Sequence, residues 1–434
     1  MNETIPAPIV RAEHAPSWYA ATANPLEAFP RLEGAKTADI CVVGAGYTGL
    51  STALNLAERG YKVAVLEAKR VGWGASGRNG GQIGTGYAPD MDKIVKWVGR
   101  EDARKLWDLA EEGKRIVFER VARHGIRCDL AKGYLMVALK PRQLHELEML
   151  QAQWRDGYGH GETEILTGER LRAEVASEAY IGGLSDPSSG HFHPLNYCLG
   201  LAAAARDAGV EIYEDSAVTA LDIAADICAR TPLGEISAEF LVLAGNAYLG
   251  DLVPSIRRKI MPVGTYIAAT EPLAVERVRA LVPNNLAVCD INFVLNYFRR
   301  SPDNRLLFGG RVSYSTLTPP NLVTAMRRKM LEVFPQLGDV GFDYAWGGNV
   351  AITMERSPHL GRLSPKVYFA HGFSGQGVAI TGIAGKVVAE AIAGQAERFD
   401  VFARLPHTSF PGGPWLRTPT LVLAMLWYRL RDYL

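Results

Sequence analysis

The apolar run Ile40-Cys41-Val42-Val43, followed at once by Gly44-Ala45-Gly46-Tyr47-Thr48-Gly49, constrains this chain more than any other stretch. Residues 39–43 read as a buried strand, and residues 47–59, closed by Gly60, read as a helix. A glycine fingerprint carries meaning only in that position, between strand and helix. Gly44 then permits the tight turn, Gly46 lets the backbone approach a pyrophosphate, and Gly49 lets the helix pack closely on the strand. Tyr47 and Thr48 open the helix, whose unpaired N–H groups and positive dipole end suit phosphate. Residues 62–67 read as a second strand, and Glu67-Ala68 closes it where a carboxylate can accept ribose hydroxyls. One βαβ unit binding an adenine dinucleotide is the expectation.

Which dinucleotide is decided by Gly72-Trp73-Gly74-Ala75-Ser76-Gly77-Arg78-Asn79-Gly80-Gly81-Gln82. Five glycines in these eleven residues exceed what a connection needs, and they allow backbone to wrap a large planar ligand. Trp73, Arg78, Asn79 and Gln82 are ordering residues, unlike the Ser/Gly filler of a linker. No second strand–GxGxxG–helix unit follows for a nicotinamide cofactor. The reading is therefore FAD, with electrons taken directly from an organic substrate.

At 434 residues the chain is long enough for two or three domains. Residues 91–124 show helical spacing, 128–140 alternate like a strand pair, and 144–154 mark another helix. A helix is expected at 194–208, then strands at 210–213, 217–221 and 240–244. Residues 296–299 and 305–308 flank a Ser-Pro-Asp-Asn turn, as in a hairpin. The piece 366–394 reads as strand, glycine-rich loop and helix. The expected fold class is α/β: an FAD-binding Rossmann-like domain (38–90, 194–250 and 366–396) interleaved with an α+β substrate domain (91–193 and 251–365) containing a large mixed or antiparallel sheet. An N-terminal arm over the surface (1–37) and a C-terminal segment (397–434) complete the division.

A net charge of +1 with no Lys/Arg block argues against nucleic acid as a partner. Five scattered cysteines without a C-x-x-C pair suit a reducing cytoplasm, and His191 and His193 lack partners for a metal, so none is expected. Residues 420–434 are apolar only as far as Tyr428, short of the roughly 20 that span a bilayer. That segment reads as a terminal helix docked on the body, with peripheral membrane contact as the alternative.

The glycine-rich stretch at 72–82 resembles the second flavin-contacting motif of the D-amino-acid oxidase superfamily. The likeness continues in TEPL at 270–273, NYFR at 296–299, LLFGG at 306–310, the YAW and GN of 344–349, and GQGV at 375–378. It implies hydride removal from the carbon beside an amine nitrogen, giving an imine that hydrolyses to an aldehyde. It also implies that the backbone at Val218 meets adenine and that Gly245 turns over the pyrophosphate. His371-Gly372-Phe373-Ser374-Gly375-Gln376-Gly377-Val378, between strand and helix, would then face the flavin pyrimidine edge. Relatives with covalent flavin carry a His in the glycine loop or a Cys before the last motif; neither stands in a matching place here, so FAD is expected to be noncovalent.

The implied substrate is gamma-glutamylputrescine or a related derivative from polyamine catabolism, with oxygen or another electron acceptor such as a quinone. Two alternatives stand beside it: a cyclic or secondary amino acid such as pipecolate, and a flavin-binding protein without oxidase turnover. Tyr266, Tyr297, Trp346 and Phe373 are candidate walls for the amine. Tyr266 and Tyr297 fit a core more readily than a site, and Trp346 fits both. His371 is a candidate polar neighbour of the flavin ring. Arg299 or Arg300 would hold a substrate carboxylate, and strand alternation turns at most one of them inward.

Overall fold

The computed structural model describes residues 13–224, 226–310 and 319–411. The apolar segment 420–434 and residues 1–12 lie outside the described residues. Two sheets dominate the rest. In the first, Gly34–Val43 pairs in parallel with Val63–Leu66 on one side and Gly234–Leu243 on the other. Glu211–Tyr213 extends the sheet beyond Val63–Leu66, and Val367–His371 extends it beyond Gly234–Leu243, both in parallel. His359–Ser364 adds an antiparallel edge, and the hairpin Ala220–Asp222/Ile227–Arg230 joins the outer half of Gly234–Leu243. Parallel strands are covered on both faces, which is why all four residues of Val63–Leu66 are apolar and buried. Helices Tyr47–Ala57, Pro194–Asp207 and Gly377–Ile392 contribute to the core on one face.

The second sheet runs Phe342–Ile352, Met261–Thr270, Leu306–Gly310, Asn296–Arg300, Ala287–Asp290, Ala131–Ala138, Gly182–His191, Gln82–Ile83, with Glu164–Thr167 also on Gly182–His191. It is mixed, because Ala287–Asp290 pairs in parallel with Ala131–Ala138 while the other pairs are antiparallel. The hairpin forms with Arg300 opposite Leu306. Helix Leu322–Val333 places Leu322, Met326, Met330 and Val333 on one buried face, the spacing of an amphipathic helix on a sheet.

Three local expectations are corrected. Residues 128–140 hold one strand, Ala131–Ala138, whose partners come from distant sequence, so alternation alone could not show that it had no hairpin mate. At 217–221 only the end joins a ladder, in Ala220–Asp222; Ala217 and Val218 line a cavity instead. Within its described residues 13–37 the N-terminal arm is also anchored in the core rather than laid wholly over the surface. Its helical turn Trp18–Ala21 inserts Trp18 and Tyr19, 2% and 0% exposed, among Leu195, Ile267, Leu307 and Trp346, since two large aromatic side chains gain most by leaving water. Two strands also cross the anticipated boundaries: Gln82–Ile83 joins the second sheet, and His359–Ser364 joins the first. No described helix is long and apolar enough to cross a membrane.

Candidate functional site

The parallel strands of the first sheet end on a cavity of about 500 Å3. From the central strand the chain crosses to Val63–Leu66 on one side and later returns to Gly234–Leu243 on the other, so the cavity lies where the strand order reverses. Val43-Gly44, Leu66-Glu67-Ala68 and Ala244-Gly245-Asn246 bring three strand ends to it. Gly46 precedes helix Tyr47–Ala57 and Gln376 precedes Gly377–Ile392, each without a side-chain cap hydrogen bond. Neither N-cap residue takes up a first-turn amide; apart from Tyr47 N, which Ser76 Oγ holds, these helix N-termini are left to serve an anion.

Glu67 is fixed at the strand end: Oε2 accepts from Ala45 N at 2.8 Å and Oε1 from Lys69 N at 3.0 Å. Burial raises its pKa, and these backbone bonds oppose the rise. The glycine-rich loop is folded on itself by Asn79, whose amide donates to the carbonyls of Ala75 and Ser76 while Oδ1 accepts from Gly81 N. Ser76 Oγ accepts from Tyr47 N at 3.0 Å, joining this loop to the first helix. The opposite wall comes from Val350 and Ala351 and from the turn after Val367–His371, where Ser374 N donates to Ala351 O at 3.0 Å.

Of the residues expected at the cofactor, the structure gathers Gly44, Gly46, Tyr47, Thr48, Glu67, Ala68, Trp73, Gly74, Ala75, Ser76, Asn79, Val218, Gly245, Phe373, Ser374, Gly375, Gly377 and Val378 around this cavity. The others stand behind its wall. Gly49 packs the helix on Gly44, and Arg78 Nε and Nη1 donate to Trp73 O and Gly347 O with the guanidinium 4.1 Å over the Trp73 ring. Gly80 O accepts from Arg299, Gly81 turns at φ 74°, Gln82 donates to Val288 O, and Gly372 N donates to Asn246 Oδ1. Gln376 faces a second cavity. Sequence reading missed Asn246, Tyr248, Val350 and Ala351; nothing local marks them, since tertiary contact alone brings them here.

The second cavity, about 240 Å3, shares Ser374 and Gly375 with the first. Tyr87, Trp107, Tyr134 and Trp154 give it aromatic walls, and Asp90, Asp186 and Arg356 give it charge. Asp186 is 1% exposed; Oδ2 accepts from Thr85 Oγ1 and Ser189 Oγ, and Oδ1 from Ser188 N and Oγ. Lys114 Nζ donates to Thr85 Oγ1 and Ser188 Oγ and lies 3.1 Å from Glu111 Oε1. His160 stands between Asp186 and Glu111, with a ring nitrogen 3.5 Å from each. Burial works against the Asp186 charge, but His160, Lys114 and the hydroxyls prevail and hold its carboxyl far below the usual range. Burial likewise opposes the His160 charge, yet Asp186 and Glu111 raise its pKa to about 9.

None of the five catalytic candidates lines either cavity. His371 points behind its turn, where Nε2 shares a 2.8 Å hydrogen bond with His359 Nδ1 and burial lowers its pKa to about 3. Trp346 packs on Tyr19 at 5.0 Å and donates to Arg78 O. Tyr266 is core, 2% exposed, beneath Gly347. Tyr297 lies over Gly80 and Gly309. Arg299 is the inward member of its pair, 2% exposed, but it donates to Gly80 O and Tyr19 OH, and Arg300 reaches Pro283 O. Tyr297 and Arg299 fall on the expected hairpin strand, whereas His371 ends strand Val367–His371 rather than lying in the loop after it and Trp346 lies within Phe342–Ile352; the buried faces of these strands pack core rather than cavity. His191 bonds Asn285 O, and His193 caps helix Pro194–Asp207.

Opposite pH effects on stability follow. His371, lowered from 6.5 to about 3, stays neutral when the unfolded chain protonates, so stability falls as pH drops below 6.5. His160, raised from 6.5 to about 9, contributes fully below pH 6.5, and that contribution is lost as pH rises through 9. Urea midpoints measured across pH should decline between 6.5 and 9, and His160→Gln should remove that decline while sparing the acid one. An unchanged alkaline limb in the variant would refute the assignment.

Residues 39–391 match the family model described as "DAO: FAD dependent oxidoreductase". The chain is 46% identical to the gamma-glutamylputrescine oxidoreductase of Escherichia coli (strain K12) over 97% of its own length and 99% of the relative's. It is 42% identical to the probable oxidoreductase OrdL of Haemophilus influenzae, covering 97% and 98% of the two chains. Among solved structures, glycine oxidase from Bacillus cereus ATCC 14579 superposes with a TM-score of 0.71 at 22% identity, over 86% of this chain and 99% of that one. L-amino acid deaminase from Proteus vulgaris gives 0.70 at 19%, over 86% and 99%.

Proposed function

The chain belongs to the DAO family of FAD-dependent oxidoreductases, and from that premise we propose that it oxidises the carbon–nitrogen bond of gamma-glutamylputrescine, or of a closely related acylated polyamine, to give an aldehyde. The observation that carries this reading is the contact between the two cavities at Ser374 and Gly375. The first has the cradle that FAD requires: a glycine turn where a Cβ on Gly46 would stand 2.9 Å from Ser76 Oγ, two helix N-termini whose N-cap residues form no side-chain bond, and Glu67 at the strand end. Among the described residues no cysteine or histidine lines it, and FAD is noncovalently bound in this reading. Bound there, FAD supplies the hydride acceptor.

The second cavity is the amine's place in this reading. Its aromatic walls exclude water and favour the neutral amine over the ammonium, the form that can lose a hydride from its carbon. The turn Phe373–Gly375 then borders both the cofactor and the reacting carbon, so small errors in this backbone would misalign the C–H bond. Water admitted afterwards hydrolyses the imine. An FAD-binding unit of 38–90, 194–250 and 366–396 and a substrate unit of 91–193 and 251–365 go with the reading, except that Gln82–Ile83 pairs within the substrate sheet and His359–Ser364 within the FAD-binding one. A cytoplasmic setting goes with it too, supported by five cysteines that are all unpaired.

The test is anaerobic mixing of the holoenzyme with gamma-glutamylputrescine, putrescine and pipecolate while the flavin's visible absorbance is followed. Gamma-glutamylputrescine should bleach it fastest, and admitting oxygen afterwards reports whether oxygen is the acceptor. Bleaching by pipecolate alone, or by no amine, overturns the reading.

A further inference from the structure

Gln376 stands between the two cavities: it lines the second, and its neighbours Gly375 and Gly377 line the first. It is also the N-cap of helix Gly377–Ile392, a place where short Ser, Thr, Asp or Asn side chains normally take up a first-turn amide. The longer glutamine makes no such bond here. Its Nε2 donates instead to Thr85 O at 3.4 Å. A backbone carbonyl can only accept, so it takes the nitrogen end of the side-chain amide and leaves the oxygen end over. Among the described residues Gln376 Oε1 receives no donor.

The chain makes room for this amide. A Cβ on Gly84, which also lines the second cavity, would stand 2.5 Å from Nε2 and 3.7 Å from Oε1. Neighbouring polar groups are engaged elsewhere: Asp186 accepts from Thr85, Ser188 and Ser189, Tyr87 OH donates to Leu106 O, and Ser374 Oγ donates to Gly372 O. Asp90 keeps to the rim, its side chain 67% exposed beside Lys93. The charged or titratable side chains around the cavity are Asp90, Asp186, Arg356, Tyr87 and Tyr134, with Lys114, Glu111 and His160 behind Asp186. The amide oxygen adds an acceptor that stays neutral at every pH.

We propose that Gln376 holds the reacting amine: Oε1 accepts one N–H of the neutral amine and so aligns the nitrogen lone pair with the carbon–hydrogen bond that breaks. As that carbon gives up hydride, with its electron pair, to bound FAD, the lone pair closes the C=N bond and the nitrogen takes up the positive charge. A carboxylate in the same place would instead hold the ammonium, which has no lone pair to give. This rests on the reading that the amine occupies the second cavity.

Anaerobic reduction of the holoenzyme by saturating gamma-glutamylputrescine, followed across pH, tests the assignment. The rate should rise with pH to a plateau, with a midpoint that reports loss of the ammonium proton in the complex. Gln376→Leu should keep FAD, since no cap bond is lost, and be reduced about 10- to 100-fold more slowly on the plateau, the cost of a misaligned reacting group. Gln376→Glu should move the midpoint up by about one unit, because a carboxylate steadies the ammonium. Gly84→Ala, whose Cβ displaces the amide, should show part of the Gln376→Leu loss. Damage to the fold alone would slow reduction without moving the midpoint. An unchanged rate in Gln376→Leu, or an unmoved midpoint in Gln376→Glu, overturns the proposal, and the second decides alone if Gln376→Leu loses FAD. tert-Butylamine, which has no hydrogen on the carbon beside nitrogen and cannot react, should perturb the flavin spectrum of wild type and bind more weakly to Gln376→Leu. If no amine reduces wild type, the functional reading fails by itself and this probe decides Gln376: binding that is absent, or equal in wild type and variant, overturns its role, and selective loss supports it.

Discussion

Gly49→Ala should purify without FAD and unfold at a lower temperature than wild type. The added Cβ would fall 1.9 Å from Gly44 O and 3.3 Å from Val42 Cγ1. Gly44 cannot yield: its N–H is bonded to Leu66 O at 2.8 Å, and a Cβ placed on it would itself lie 2.9 Å from Ala244 O. The helix Tyr47–Ala57 must slide off the strand instead, taking its first-turn amides away from the cofactor cavity. Overpacking of a tight contact costs about 1–3 kcal/mol. Loss of a ligand that binds only the folded state removes about 3–4 kcal/mol more where it had been at 100 to 1,000 times its Kd. The FAD-to-protein ratio and thermal unfolding with and without added FAD measure both parts. A variant with full FAD content would show that the close approach of helix and strand is not what forms the cradle.

Asp186→Asn should lower stability by about 3–5 kcal/mol, the usual cost of leaving buried charges without their partner. Asparagine keeps the size and one acceptor oxygen, so the change removes the charge together with one of the two oxygens that accept from Thr85, Ser188 and Ser189. Lys114, whose side chain is 4% exposed, would keep Glu111 as its carboxylate partner beside the Thr85 and Ser188 hydroxyls, and His160 would lose one of the two carboxylates that raise its pKa. The urea midpoint should fall and the His160 titration should move down from about 9. Adding Lys114→Met to Asp186→Asn should restore part of the loss, because it removes the stranded cation. A loss below about 0.5 kcal/mol, the range of ordinary surface changes, would mean that water reaches this cluster freely.

Legibility in the sequence follows how local the determining physics is. Gly44, Gly46, Gly49 and Glu67 could be read because the turn, the close approach and the strand-end carboxylate act within one short stretch, and all but Gly49 line the cavity. The hairpin through Arg300 and Leu306 could be read for the same reason. Trp107, Trp154 and Asp186 could not: on a helix and a strand they look like core residues, and only the folded chain brings them to one wall. Tyr266 and Trp346 failed the other way, since an aromatic residue in a β-strand reads alike whether its face packs a core or a ligand.

The Trp18–Tyr19 turn has a consequence for how the protein is made. Trp18 Nε1 donates to Asp303 Oδ2 at 3.0 Å across 285 positions of sequence, and Tyr19 OH accepts from Arg299. This aromatic pair is synthesised well before the strands around 300 and has no seat until they exist. Long-range closure of this kind is entropically slow, so the docking of this turn on the second sheet belongs to a late stage of folding, and the two rings stay without their seat until then.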